Sequence, residues 1–243
     1  KMRIDGRKEI EIRSCNLERG IMKYAEGSCL ITIGDTKVLC CASVEEKVPP
    51  FLVGSGQGWI TAEYTMLPRA TQTRHAREGI TTKVNGRSQE IQRLIGRSMR
   101  TAVDLSSLGE RTIILDCDVL QADGGTRTAS ITGCMVALVD ALRTLKQPCG
   151  WQRLPILQFV AAISLGKVND RLLLDLCYME DSHAGVDMNL VMTENGSLVE
   201  IQGTAEGAPY TQEDLLTMLA MGKEGIQKLI SIQKECLYYQ EGE

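Results

Sequence analysis

Aromatic side chains are scarce in this chain: two Phe, two Trp and six Tyr make up 4% of its 243 residues. Its core is therefore expected to be aliphatic. The 43% hydrophobic share suffices for one large domain or two small ones. Histidine is rarer still. His75 falls in an arginine-rich stretch and His183 in an acidic one. Neither stands at the spacing of a Ser/His/Asp triad, a Cys/His pair or a metal site. The nine cysteines never form a C-x-x-C pair. That argues against zinc or a disulfide framework and fits buried thiols in a reducing cytosol. No apolar run reaches transmembrane length, so no membrane partner is expected. Lys1 to Arg7 are polar and lack an apolar signal segment, which makes cytoplasmic the expected localisation. P-loop and dinucleotide-binding fingerprints are absent. With a net charge of −4 and a pI near 5.4, a general nucleic-acid coat protein is excluded.

The charge is uneven. Residues 69–111 hold Arg69, Arg74, Arg77, Lys83, Arg87, Arg93, Arg97, Arg100 and Arg111. Acidic residues there are only Glu78, Glu90, Asp104 and Glu110. Arginine's planar fork suits phosphate oxygens, so a basic region sits locally on an acidic protein.

The most telling stretch runs from Gln121 through Asp123-Gly-Gly-Thr-Arg127 to Gly133. Before it, Thr112–Leu120 alternates like a strand. After it, Ile131–Leu142 reads as a helix. A glycine pair between strand and helix lets the backbone turn tightly and approach a ligand closely. Unpaired N–H groups at a helix start attract an anion, and Arg127 adds a fork for its oxygens. The ligand such a turn suits is a phosphate.

Elsewhere, Lys8–Arg13 reads as a strand, and Cys29–Ile33 and Lys37–Ala42 flank a tight hairpin at Gly34-Asp-Thr36. Val48–Gly58 is a loop, Trp59–Tyr64 a strand, and Pro68 to about Asn85 an exposed loop. Ser88–Leu105 has helical period, with Arg93, Arg97, Arg100 and Asp104 on one polar stripe. That stripe is expected to be solvated or salt-bridged rather than catalytic. Gln158–Leu165 and Arg171–Leu176 form one strand pair, Met188–Met192 and Ser197–Ile201 another. A final helix starts after Thr211 and runs to about Leu237, weakened by Gly222 and Gly225, with a tail beyond it that need not be ordered. The sum is one α+β domain over 1–243, made of two strand-rich halves each followed by helices.

A second cluster packs Asp175, Glu180, Asp181 and Asp187 into the fifteen residues 175–189. Carboxylates on adjoining strand ends can share a hard cation such as Mg²⁺, and one of them can move a proton.

Together these segments resemble the ribonuclease PH family. The resembling residues are Arg3-x-Asp-Gly-Arg7, Gly58-Trp-x-Thr-Ala-Glu-Tyr64, Met66-Leu-Pro-Arg-Ala-Thr71 and Thr73-Arg-x-x-Arg-Glu78. They continue with Gly86-Arg-x-Gln-Glu-Ile-Gln-Arg-Leu-Ile-Gly-Arg97, the Asp116–Gly133 stretch, Glu180-Asp-Ser182, Asp187-Met-Asn189 and Gln202-Gly-Thr-Ala-Glu-Gly207. The match covers nearly the whole chain, from Arg3 to about Leu237. It implies the mixed-sheet fold of the ribosomal-protein-S5-domain-2-like type and a ring-shaped homo-hexamer, a trimer of dimers. It also implies a phosphate-dependent 3′→5′ exoribonuclease, a tRNA nucleotidyltransferase acting on 3′ tails of transfer-RNA precursors. The implied phosphate site is Arg87, Gly125, Thr126 and Arg127. The implied catalytic and metal-holding residues are Asp181 and Asp187, with Mg²⁺ or Mn²⁺ as cofactor and inorganic phosphate as co-substrate. The implied RNA contacts are Arg69, Arg74 and Arg77. Ile4, Ser88, Gly79–Val84, His183 and Gly185 depart from the family's usual residues. The alternative is a non-catalytic RNA-binding ring subunit of an exosome-like assembly. Retention of both arginines and both aspartates favours the enzyme.

Overall fold

Alternating burial along the strands builds two sheets around one helix. The structure is a computed structural model that describes residues 3–77, 86–207, 209–240 and 242. The Gly79–Val84 departure lies outside the described residues.

The first sheet contains β1 (Cys15–Arg19), β2 (Gly27–Ile33), β3 (Thr36–Glu45), β4 (Trp59–Met66) and β5 (Thr112–Gln121), in the order β1-β2-β3-β5-β4. Its inward face alternates as a strand period of two requires: Val38, Cys40 and Ala42 on β3, and Ile113, Leu115, Cys117 and Val119 on β5, are buried. β4 runs parallel to β5, and such a pair needs a crossover element. The crossover carries α1 (Gly86–Arg100), which packs on β4, and α2 (Leu105–Leu108). The second sheet is antiparallel, in the order β7-β6-β8-β9, from β6 (Val160–Val168), β7 (Arg171–Leu174), β8 (Val186–Thr193) and β9 (Leu198–Ala205). The short helix α4 (Tyr178–Asp181) lies between β7 and β8.

Between the sheets runs α3 (Thr126–Lys146), packed on β2 and β3 on one side and β6 on the other. It is apolar and long enough to cross a membrane by composition, although the sequence showed no run of that length; its apolar window is mostly buried between the sheets. The second sheet is covered by α5 (Gln212–Leu237), whose start is closed by a capping box of Thr211 and Asp214. Gly222 and Gly225, expected to weaken this helix, bring it close to the sheet. A Cβ on Gly225 would stand 2.7 Å from Ile163 Cδ1, and one on Gly222 would collide with Leu190 Cδ2. The core is aliphatic as expected, with Phe159 the one aromatic among its largest fully buried side chains. All nine cysteines are free; the fold gathers the buried Cys40, Cys117 and Cys134 sulfurs within 4.8 Å, a cluster that linear spacing does not reveal.

β1 and α4 were not expected, and three expected elements differ. Lys8–Arg13 is not a strand. The Glu11 carbonyl is taken by the Arg3 and Arg7 side chains and the Arg13 N–H by Asp175, so side chains replace a ladder. The helix expected to continue to Leu105 stops at Arg100, because Val103 forms an isolated bridge with Ile156 and Asp104 caps α2. The helix expected from Ile131 starts at Thr126. The polar Thr128 and Ser130 that made this stretch look like a loop return their hydroxyls to the Gly125 and Thr126 carbonyls. The polar stripe on α1 is structural where its partners are visible. Arg97 pairs with Glu200, and Arg100 stacks 4.2 Å over the Trp59 ring while donating to the Ile60 carbonyl.

Candidate active site

The turn between β5 and α3 is built from two left-handed glycines, Gly124 at φ +76° and Gly125 at φ +66°. Gly125 is the N-cap of α3, which makes Thr126 and Arg127 its first two helical residues. Thr36 brackets the turn: its hydroxyl donates to the Gly124 carbonyl at 2.7 Å and accepts from the Asp123 N–H at 3.0 Å. The turn also rests on the start of α4. A Cβ on Gly124 would stand 2.5 Å from the Leu176 carbonyl oxygen and 3.0 Å from the Tyr178 nitrogen, whose N–H donates to Asp123 Oδ1 at 3.1 Å. Gly124→Ala therefore combines a left-handed φ with a backbone collision. It is expected to cost about 1–3 kcal/mol, or roughly 2–10 °C in Tm for a chain of this size. Thermal denaturation checks this against Gly54→Ala, where φ is +80° but nothing lies within 4 Å. The loss at Gly124 should be the larger.

Among the described residues, no acceptor stands opposite the N–H groups of Gly125 and Thr126. Both donors belong to the positive end of α3. Arg127 is held beside it by β9 and α1. Its Nη1 donates to Gln202 Oε1 at 2.9 Å and lies 3.6 Å from Glu90 Oε1. Gln202 is fixed in turn by donating to Glu90 and Glu200, each at 3.0 Å. Arg87, in the first turn of α1, is exposed. Both arginines oppose the proton affinity of the same three groups: Asp181, Asp187 and Tyr64. The buried Tyr64 hydroxyl sits 2.8 Å from Thr126 Oγ1. Burial pushes that phenol up, against Thr126 and the two arginines.

The acidic cluster of 175–189 separates into two pairs. Asp175 and Glu180 are consumed structurally. Asp175 accepts from the Arg13 fork at 2.8 and 3.1 Å, and Glu180 from Arg3 at 2.5 and 2.8 Å. Burial alone would raise Glu180; the Arg3 pairing outweighs it and holds the carboxyl below its ordinary range. Asp181, at the end of α4, and Asp187, on β8 opposite Gly166 and Thr204, have no such partner among the described residues. Neither lies within ion-pair distance of a basic side chain among the described residues. Burial raises Asp181, with Arg87, Arg127 and Arg13 opposing. Burial and the neighbouring Asp181 charge push Asp187 up to about 6, against Arg127 and Arg87. A carboxyl there holds a proton close to neutrality.

The sequence-derived phosphate residues and aspartates thus form one constellation. Arg69, Arg74 and Arg77 do not join it within the described chain. They are exposed in the loop after β4, and Arg77 acts on Asp118 instead. The histidines stay apart from the chemistry: His183 Nδ1 lies 2.9 Å from the Met179 carbonyl, and His75 uses its backbone N–H on Pro68. Sequence reasoning assigned no role to Tyr64, Gln202, Glu90, Arg13, Asp123 or Thr36. Tyr64, Glu90, Asp123 and Gln202 stood in motifs of the resemblance. Arg13 carried no signal, since its partner lies 162 residues away.

Comparison with known proteins shows the family and the fold. Residues 11–143 match the model of the 3′ exoribonuclease family, domain 1, and residues 158–225 match domain 2. A ribonuclease PH from Moorella thermoacetica is 61% identical over 236 residues, covering 97% of this chain and 94% of that protein. The chain shares its fold with a subunit of the Archaeoglobus fulgidus exosome solved with RNA bound to the active site. The TM-score is 0.81 at 23% identity, over 95% of this chain and 92% of the other. Rice Rrp46 superposes with a TM-score of 0.78 at 19% identity, over 97% of this chain and 100% of the other.

Proposed function

This chain belongs to the 3′ exoribonuclease family, and we propose that it shortens RNA from the 3′ end at the site formed by Arg87, Gly125, Thr126, Arg127, Asp181 and Asp187. It is a phosphorolytic 3′→5′ exoribonuclease. One observation carries the site assignment: Arg87 and Arg127 both act on a carboxyl raised to about 6, and Arg127 belongs to a helix start whose Gly125 and Thr126 N–H groups have no acceptor among the described residues.

Inorganic phosphate is the attacking group. Arg87, Arg127 and the N–H groups of Gly125 and Thr126 hold it and offset the repulsion between two anions. One phosphate oxygen bonds to the terminal phosphorus while the bond to the 3′ oxygen of the preceding nucleotide breaks. The departing 3′ oxygen takes a proton, and the raised carboxyl of Asp187 supports its role as the group that supplies it. The products are a nucleoside 5′-diphosphate and an RNA one residue shorter. A phosphoanhydride forms as a phosphodiester breaks, so the reaction runs in both directions.

Asp181 and Asp187 fit a hard divalent cation, Mg²⁺ or Mn²⁺, being oxygen donors on successive elements that pair with no basic side chain among the described residues. When bound, the cation supplies Lewis-acid charge at the breaking bond. Arg69, Arg74 and Arg77 grip the RNA, and transfer-RNA 3′ tails are the natural substrate. The functional state is a homo-hexamer, a trimer of dimers. Tyr24, Phe51 and Val53, 88%, 69% and 69% exposed, are apolar surface of the kind an interface covers. Light scattering on the purified protein should give about six times the 26.7 kDa chain mass; a monomer mass contradicts the ring.

The test of function is RNA shortening with and without phosphate. Nucleoside diphosphate release should require phosphate and should reverse with excess diphosphate. Equal activity in its absence means hydrolysis instead.

A further inference from the structure

Phosphate binding at the turn depends on where two backbone N–H groups point. In a trans peptide the carbonyl and the following N–H point in opposite directions. Whatever pins the Gly124 carbonyl therefore aims the Gly125 N–H, one of the two donors assigned to phosphate, and whatever pins the Asp123 carbonyl aims the Gly124 N–H just before it. Arg13 does this. Its Nη1 donates to the Asp123 carbonyl at 2.5 Å and its Nη2 to the Gly124 carbonyl at 3.3 Å, beside the Thr36 hydroxyl on the same oxygen. Arg13 Nη2 also lies 3.3 Å from where a Cβ of Gly125 would stand, so it backs the turn from behind.

Arg13 is itself locked. It is 6% exposed, and Asp175 takes its Nε, its Nη2 and its backbone N–H at 3.1, 2.8 and 2.7 Å. Burial alone would lower the guanidinium; the Asp175 bonds and charge outweigh it and hold it above its ordinary value. Asp175 adopts φ +56°, a conformation non-glycine residues rarely keep without support. It follows β7 and precedes α4, and α4 ends on Asp181. One guanidinium thus bridges the turn that receives phosphate and the segment that carries a catalytic carboxylate.

We propose that Arg13, clamped by Asp175, is a positioning residue for the attacking phosphate, acting through the Asp123 and Gly124 carbonyls to aim the turn's N–H groups. The proposal rests on the phosphorolytic reading and deepens it. Asp175 pairs with Arg13, and the positioning role needs the planar fork. A lysine keeps the charge but cannot make two bonds to carboxylate and two to carbonyls at once.

Arg13→Lys and Arg13→Gln should each raise KM for inorganic phosphate about ten- to a hundredfold, the scale of a roughly 1 Å misplacement. KM for RNA should stay within about twofold. Thr36→Val, which removes the second donor to the Gly124 carbonyl at nearly constant shape, should shift KM for phosphate in the same direction by less. If Arg13→Gln does not fold, Arg13→Lys and Thr36→Val decide the case. The proposal is overturned if folded Arg13 variants keep the wild-type KM for phosphate, or if KM for RNA rises in step with it. A wild-type enzyme indifferent to phosphate is a separate result, removing the phosphorolytic reading and this inference together.

Discussion

Asp187→Asn is expected to abolish RNA shortening, lowering kcat by about a thousandfold, the middle of the range for losing a positioned proton-transfer group. RNA affinity should be retained, because Asp187 contributes negative charge, which does not attract a polyanion. Asparagine preserves the shape on β8 and removes the proton that the carboxyl holds near pH 6. A stability signature accompanies the change. Asp187 is raised from 3.8 to about 6 by burial and the Asp181 charge, so the fold favours its protonated form. Its contribution to stability is fully present below about pH 3.8 and is lost as pH rises through about 6. In metal-free buffer at pH 8, Asp187→Asn should therefore be more stable than the parent, by on the order of 1–3 kcal/mol. The advantage should shrink toward pH 4. Single-turnover kinetics, filter binding and melting at two pH values check the three statements. Collapse of RNA binding together with a lower Tm would make Asp187 a structural residue.

Arg87→Ala is the second large effect. The side chain is exposed at the start of α1, so the fold should survive its loss. What disappears is a guanidinium that faces Asp181, Asp187 and Tyr64 together with Arg127. Removing one preorganised donor to developing or colliding negative charge costs about 2–4 kcal/mol, so kcat/KM for phosphate should fall by roughly 30- to 1,000-fold. Lysine at position 87 should recover only part of this, since it offers a point charge in place of a fork. Kinetics at varied phosphate and fixed RNA measure the loss. An unchanged phosphate dependence would remove Arg87 from the phosphate site.

Much of this site could be read from residue order because its parts are local. The glycine turn, Thr126 and Arg127 are contiguous, and left-handed backbone leaves a direct trace in Gly-Gly. The hairpins at Gly34–Asp35 and Asn169–Asp170 were visible for the same reason. What escaped was long-range. Arg3 and Glu180 are 177 positions apart, and nothing local announces that they pair. Their pairing took Glu180 out of the acidic cluster, and the comparably distant Asp175 took the Arg13 N–H that a strand at Lys8–Arg13 would have used. The early start of α3 was hidden by Thr and Ser side chains that look like loop composition yet bond back into the helix. Gly222 and Gly225 read as weaknesses of α5 because sequence does not show the sheet residues beneath them.

All of this turns on phosphate, rather than water, forming the new bond. Running the reaction on a short RNA with inorganic phosphate labelled at all four oxygens with ¹⁸O, and weighing the first product, tests it directly. The account predicts a nucleoside diphosphate whose terminal phosphoryl group carries the label. An unlabelled nucleoside monophosphate would contradict it.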